Sequence, residues 1–142
     1  MENFSLKLSG LNLEFDIKEV NDSEYHYTLR DKKTYEIAGI AIVTWTAGDD
    51  FVWLKLLFVP KKYRLKGIAT HLVKVLLNYN CYEVRLRARP FYDKKIPIGP
   101  LVRFFSNQGF RVVDGGKQGP RSRLFPIMKS EYPRRRWCSD YH

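Results

Sequence analysis

Phe58–Val73 reads FVPKKYRLKGIATHLV. An apolar run, Phe51–Val59, is stopped at Pro60, which has no amide proton to give to a sheet ladder. Lys61, Lys62, Arg64 and Lys66 then crowd ahead of Gly67. Beyond the glycine the apolar side chains recur at helical spacing. In Gly67–Tyr79, Ile68, Leu72, Val75, Leu76 and Tyr79 fall on one face, and Thr70, His71, Lys74 and Asn78 share the other. The first turn of a helix exposes backbone N–H groups and the positive end of the helix dipole. Gly67 has no side chain to keep an anion away from that backbone. A buried strand, a basic glycine turn and a helix start together make a site that suits a pyrophosphate. The stretch is not a P-loop, since GxxxxGK[ST] is absent, nor the GxGxxG dinucleotide fingerprint.

Outward from this stretch the pattern is mixed α/β. Towards the N-terminus, Phe4–Leu8 and Leu11–Ile17 alternate apolar and polar residues as a half-buried strand does. Asn21-Asp22-Ser23 is a turn, Glu24–Arg30 a short strand, and Asp31-Lys32-Lys33 a tight hairpin-like link. Glu36–Thr46 is β-branched and nearly continuously apolar, as expected of a central strand. Ala47-Gly48-Asp49-Asp50 turns into Phe51–Val59, the second buried strand. Towards the C-terminus, Asn80 stops the helix. Tyr82–Arg89 alternates, with Tyr82, Val84, Leu86 and Ala88 opposite Glu83, Arg85, Arg87 and Arg89. Pro90–Pro97 is a loop. Ile98–Gln108 is a second helix, capped by Gly109. Phe110–Val113 and Ser122–Met128 are the last strands, with a wide turn over 114–120 between them. The expected order is four strands, helix, strand, helix and two strands. The fold class is α/β, a mixed, largely antiparallel central sheet flanked by helices.

The 142 residues suit one domain over 1–142, with 129–142 a basic tail. A composition 44% hydrophobic and 15% aromatic excludes a disordered chain. No run reaches the ~18 apolar residues that cross a bilayer, so no membrane is expected. The N-terminus lacks the layout of a signal peptide. Cys81 and Cys138 make neither a disulfide framework nor a metal spacing, so no metal is expected and the chain reads as cytoplasmic. The net charge of +10 is unevenly placed. Residues 1–50 hold 10 acidic and 5 basic side chains, whereas residues 51–142 hold 5 acidic and 20 basic ones. That asymmetry suits a polyanionic partner, which includes nucleic acid, a phosphorylated cofactor or an acidic protein.

Arg64-x-x-Gly67-x-Ala69, after a strand ending in Val-Pro and before a helix, resembles the acyl-CoA-binding motif Q/R-x-x-G-x-G/A of the GNAT family of N-acetyltransferases. The element order and the Gln108-Gly109-Phe110 segment support the resemblance, which spans roughly residues 34–128. It implies an N-acetyltransferase that uses acetyl-CoA as co-substrate and a primary amine as acceptor. On that resemblance the main chain of Leu57, Phe58 and Val59 would hold the pantetheine arm. The N–H groups of Arg64, Leu65, Lys66, Gly67, Ile68 and Ala69, with Thr70 beyond, would hold the pyrophosphate. The thioester would lie where two central strands splay, open to direct attack by the amine.

The sequence departs from the family at three points. Phe105 stands where the family has its tyrosine acid, and Ile98 where an asparagine often sits. Trp53 and Lys55, without a carboxylate, occupy the strand that carries a glutamate base in some members. A phenyl ring cannot supply a proton, so the acid–base role falls to Tyr92, Ser106, Tyr63 or His71, and positioning alone carries part of an acyl transfer. A second reading is a catalytically weakened module of the same fold that binds nucleic acid or an acidic protein through its basic C-terminal part. Arg85, Arg87 and Arg89 are then a platform rather than a solvated face, and Arg134-Arg135-Arg136-Trp137 a phosphate-contacting tail rather than a plain one. His71 reads as solvated, Asp49 and Asp50 as hairpin-turn residues, and Cys81 as a packing residue.

Overall fold

The computed structural model describes residues 3–8, 10–48, 50–79, 83–88, 98–114 and 126–130. The expectations for Asp49, Asn80, Cys81, Tyr82, Arg89, the 90–97 loop with Tyr92, the 115–120 turn, the start of the last strand at Ser122, Cys138 and the tail from 131 onward lie outside them.

Eight strands form one sheet: β1 Asn3–Leu8, β2 Leu11–Asn21, β3 Glu24–Asp31, β4 Ile37–Trp45, β5 Phe51–Phe58, β6 Glu83–Arg87, β7 Phe110–Asp114 and β8 Ile127–Ser130. Two helices accompany it, α1 Ile68–Tyr79 and α2 Ile98–Asn107, with a short 3-10 turn at Lys61–Tyr63. The sheet order is β1-β2-β3-β4-β5-β6-β8-β7. Every neighbouring pair is antiparallel except β5 and β6, which run parallel.

Five strands, not four, precede α1. The alternating stretch from Phe4 to Ile17 folds back at Gly10, whose φ of 78° a glycine adopts without strain. It makes a β1–β2 hairpin in which Leu8 lies across from Leu11. Two boundaries also move. β2 runs on to Asn21, because Lys18 and Glu19 find partners in His26 and Tyr25 of β3. The last strand ends at Ser130 rather than Met128, since Ser130 pairs with Phe110 and its Oγ accepts a hydrogen bond from the Val84 amide.

Strand alternation sorts the side chains onto two faces. One face carries Leu13, Phe15, Leu29, Ala41, Val43, Leu54, Leu57, Val84, Leu86 and Met128, all buried. Both helices cover it. α1 presses Ile68 and Leu72 onto β4 at Gly39, where a Cβ would sit 2.6 Å from Ile68 Cγ2 and 2.9 Å from Leu72 Cδ1. α2 brings Phe105 against Phe110, ring centroids 5.7 Å apart and nearly edge to face. The apolar face of α1 is wider than the spacing suggests. Val73 and Leu77 are buried as well.

Candidate active site

The parallel β5–β6 ladder is short. Phe51, Val52 and Trp53 pair with Glu83, Val84 and Arg85, and there the pairing stops. β5 continues to Phe58 and β6 to Arg87, but the ladder between them does not extend beyond Trp53 and Arg85 among the described residues. A bulge sits at the point of divergence. Ile42 pairs with Leu56 and Val43 with Leu54, so Lys55 is the extra residue of β5. Beyond Trp53 the β6-facing edge of β5 thus offers main-chain N–H and C=O groups to whatever enters the gap. Leu57 and Phe58 lie on this stretch, and Val59 follows it. The Val59 carbonyl accepts a hydrogen bond from Arg64 Nε at 3.0 Å, which ties the loop to the strand end.

The loop takes left-handed backbone at two positions, and only the non-glycine one is strained. Leu65 has φ 63° and Gly67 has φ 81°. Leu65 is also fully exposed. A leucine in the left-handed region costs about 1–2 kcal/mol, and such strain concentrates at functional sites. Turns that carry left-handed residues can aim successive amides to one side as an anion-binding concavity. Among the described residues no main-chain acceptor takes the amides of Leu65 or Gly67. One expectation changes. The Arg64 amide donates to the Lys61 carbonyl at 3.3 Å and closes the 3-10 turn, so it is not turned to the loop. Ile68 is buried against the sheet, while Ala69 and Thr70 are half-buried on the first turn of α1. Lys66 adds a cation at the loop, and the dipole of α1 adds its positive end.

A polar cluster, buried at Tyr63 and Asp31 and exposed at Thr34, Glu36 and Lys62, backs this loop. The Tyr63 hydroxyl donates to Asp31 Oδ2 at 3.0 Å, and Thr34 Oγ1 and Glu36 Oε1 each lie 3.4 Å from it. Lys62 Nζ binds Glu36 Oε1 at 2.7 Å. The Lys33 amide donates to Asp31 Oδ1. That amide is the largest influence holding the Asp31 carboxyl below its ordinary pKa, and Tyr63 assists. The bond from Lys62 does the same for Glu36. For Tyr63, the bond with Thr34 pulls downward, but burial and the Asp31 carboxylate outweigh it and raise the hydroxyl. The β3–β4 turn and the residues before the loop are thereby one fixed unit. Sequence reasoning missed it. Tyr63 and Asp31 stand 32 positions apart, and nothing local to either marks the other as its partner.

The proton-transfer candidates fare differently. Tyr63 commits its proton to Asp31 and faces the β3–β4 turn. Ser106 is on the exposed side of α2. Tyr92 lies outside the described residues. His71 is not solvated. Its Nε2 is buried with no hydrogen-bond partner, and burial, with Lys74 adding to it, lowers its pKa from 6.5. Its place on the helix borders Ile68 and Val75, so the apolar face reaches it. Phe105 is 1% exposed, held edge to face by Phe104 and Phe110. It serves the core. Among the described residues no His/Cys/Asp/Glu group could hold a metal.

No family model matches the sequence, and no curated protein does. Solved structures do match. Nourseothricin acetyltransferase superimposes with a TM-score of 0.58 at 10% identity, over 92% of this chain and 88% of that one. The fold is that of the GNAT acetyltransferases. An acetyltransferase assigned to the GNAT family from Bacteroides thetaiotaomicron gives a TM-score of 0.59 at 10% identity, over 87% of this chain and 70% of that one. PaiA N-acetyltransferase from Thermoplasma acidophilum, in complex with coenzyme A, gives 0.54 at 19% identity, over 78% and 62%. The GNAT fold accounts for the order of sheet and helices from β2 onward. In this chain the two helices that the family usually has after its first strand are absent between β2 and β3. Those strands join directly at a turn in which Asn21 Oδ1 accepts from the Ser23 amide.

Proposed function

We propose that this chain is an N-acetyltransferase that moves the acetyl group of acetyl-CoA to a primary amine by direct attack. The observation that carries the reading is the juxtaposition of the opened β5–β6 gap with the Leu65–Gly67 concavity at the start of α1. The pyrophosphate would sit on the amides of Leu65–Ala69 with Thr70 at the rim, beside Lys66. The pantetheine arm would lie along Leu57, Phe58 and Val59, as an added strand does on a free edge. The thioester would then lie in the gap near Trp53. There the amine nitrogen forms its bond to the acetyl carbon, the carbon–sulfur bond breaks, and the departing thiolate keeps that electron pair. The amine's surplus proton goes to the thiolate, to water or to a side chain. Tyr63 and Phe105 are committed elsewhere, which leaves Tyr92 and Ser106 as the candidate groups, with positioning and main-chain donors in the gap carrying part of the rate.

The test is a calorimetric titration of acetyl-CoA against the wild type, Gly67→Asp and Gly67→Asn. Asparagine tolerates the left-handed backbone at Gly67, and a Cβ there meets only Leu8 Cδ1, at 3.9 Å. Gly67→Asn is therefore expected to keep most of the affinity. Gly67→Asp, which sets a carboxylate in the concavity, is expected to lose about tenfold or more. Equal binding by Gly67→Asp sinks the anion site, and no micromolar binding by the wild type sinks the enzyme.

A further inference from the structure

Both described helices lie on one face of the sheet, and the residues lining the opposite face around the gap are unevenly charged. The gap is closed on the helix side by Leu54, Leu57, Val84 and Leu86, none more than 7% exposed. Among the described residues the other face is therefore the approach left to an acceptor. Strand pairing fixes what stands there. Arg85 is level with Trp53 and with Lys129, Lys129 with Arg111, and Arg87 with Ile127. These four cations share the helix-free face of β6, β8 and β7. Two acidic residues share these register positions: Glu83, which Arg85 and Lys129 both engage, Lys129 at 3.5 Å, and Asp114, level with Ile127. The Arg85 guanidinium is stacked 3.7 Å above the Phe51 ring, and Phe51 meets Trp53 edge to face. On β5 the same face is Phe51, Trp53, Leu56 and Phe58. The nearest carboxylates across it, Glu14, Asp16 and Glu24, stand on β2 and β3, two or more strands from the gap.

We infer that the acceptor is an amine that also carries a carboxylate or phosphate, and that Arg87 and Lys129 hold this anion beside the gap. The inference rests on the acetyltransferase reading and names its substrate class. Arg87 pairs with Ile127 of β8 on one side and has no β5 partner in the ladder on the other, so it borders the gap. Lys129, level with Arg85 on β8, is its diagonal neighbour, about 7–8 Å away. An amine at the thioester thus has its anionic group over two cations, with an apolar floor of Trp53, Leu56 and Phe58. A polyamine in the same place would meet Arg87 beside the gap and an excess of cations over carboxylates.

The experiment measures thiol release from acetyl-CoA by the full chain against amines that differ in charge. The panel is glutamate, glucosamine 6-phosphate, an acidic peptide with a free amino terminus, a neutral amino-acid amide and spermidine, each at low and at raised salt. The expected result is kcat/KM for at least one anionic amine about tenfold or more above the amide and spermidine, with the margin shrinking as salt rises. The first three arms separate carboxylate, phosphate and peptide sources. Arg87→Glu and the milder Arg87→Gln are expected to erase the margin while acetyl-CoA affinity holds. Preference for the amide or spermidine overturns the inference, and so does a ranking untouched by either variant. If acetyl-CoA binds but no amine releases thiol, calorimetry with the same panel decides, and absence of charge-selective binding overturns it. Failure of acetyl-CoA itself to bind removes the acetyltransferase reading, a separate outcome.

Discussion

Single residues show both how far the sequence can be read and where it stops. The Arg64–Ala69 loop is legible because its requirements are local: a glycine, cations and a helix start within a few positions. The Tyr63 cluster is illegible, because its partners come from a turn on the far side of two strands. His71 misleads for another reason. Helical spacing sets it with Thr70, Lys74 and Asn78, but the neighbouring apolar face is wide enough to cover its ring. The consequence is a pH dependence. Folding depresses the His71 pKa, so the unfolded chain takes up the proton first as acidity increases. Stability is then fully present above the unfolded value near 6.5 and falls as pH drops through and below it. Melting temperatures measured from about pH 8 to about pH 5.5 should decline by a few degrees, and His71→Leu should flatten that decline. Asp31 and Glu36 have the same proton preference at lower pH, both carboxyls being held low. Their contribution persists through this range and is lost only in stronger acid, below their unfolded values near 4.

Among the elements, strands are legible wherever period-2 alternation meets a burial boundary, as in β4, β5 and β6. Two features are not. The β1–β2 fold-back depends on a glycine in a stretch that alternates on both sides of it, so one long strand and two short ones leave the same imprint. The Lys55 bulge leaves no imprint, because a bulge is a fact of pairing. The approach of α1 to β4 also depends on pairing, and it yields a prediction. Gly39→Ala would drive a methyl group into Ile68 and Leu72 at distances no real Cβ keeps. α1 would have to lift from the sheet, at a cost of about 1–3 kcal/mol by denaturant titration. Because α1 begins at the cofactor loop, acetyl-CoA affinity should fall with it. An unchanged midpoint would mean that the helix tolerates the shift.

For the molecule as a whole, the one-sided placement of helices is the feature that composition could not disclose. The sequence lacks a helical pattern between β2 and β3. That this leaves the helix-free face to the charged strands follows only from the sheet order. The charge asymmetry is plain in the numbers, yet its meaning changes once the strands are arranged. The acidic first third supplies one end of the sheet, and the cations of β6, β7 and β8 the other. Ligand binding should be felt by the entire fold, since loop, gap and core share α1 and β5. At ligand concentrations about 100 times Kd, acetyl-CoA should stabilise the native state by about 2.7 kcal/mol. That is a shift of several degrees in thermal unfolding for a chain of this length. Gly67→Asp should show little of it.

The nearness of Leu8 to Gly67 has a practical side. The first hairpin abuts the turn that is expected to grip the nucleotide through its Leu8 end, next to the Gly10 fold-back. Changes in that fold-back should be read out as altered cofactor affinity. A purification handle ahead of residue 3 would sit at the opposite end of β1, about 17 Å off, and should leave the binding constant as it is.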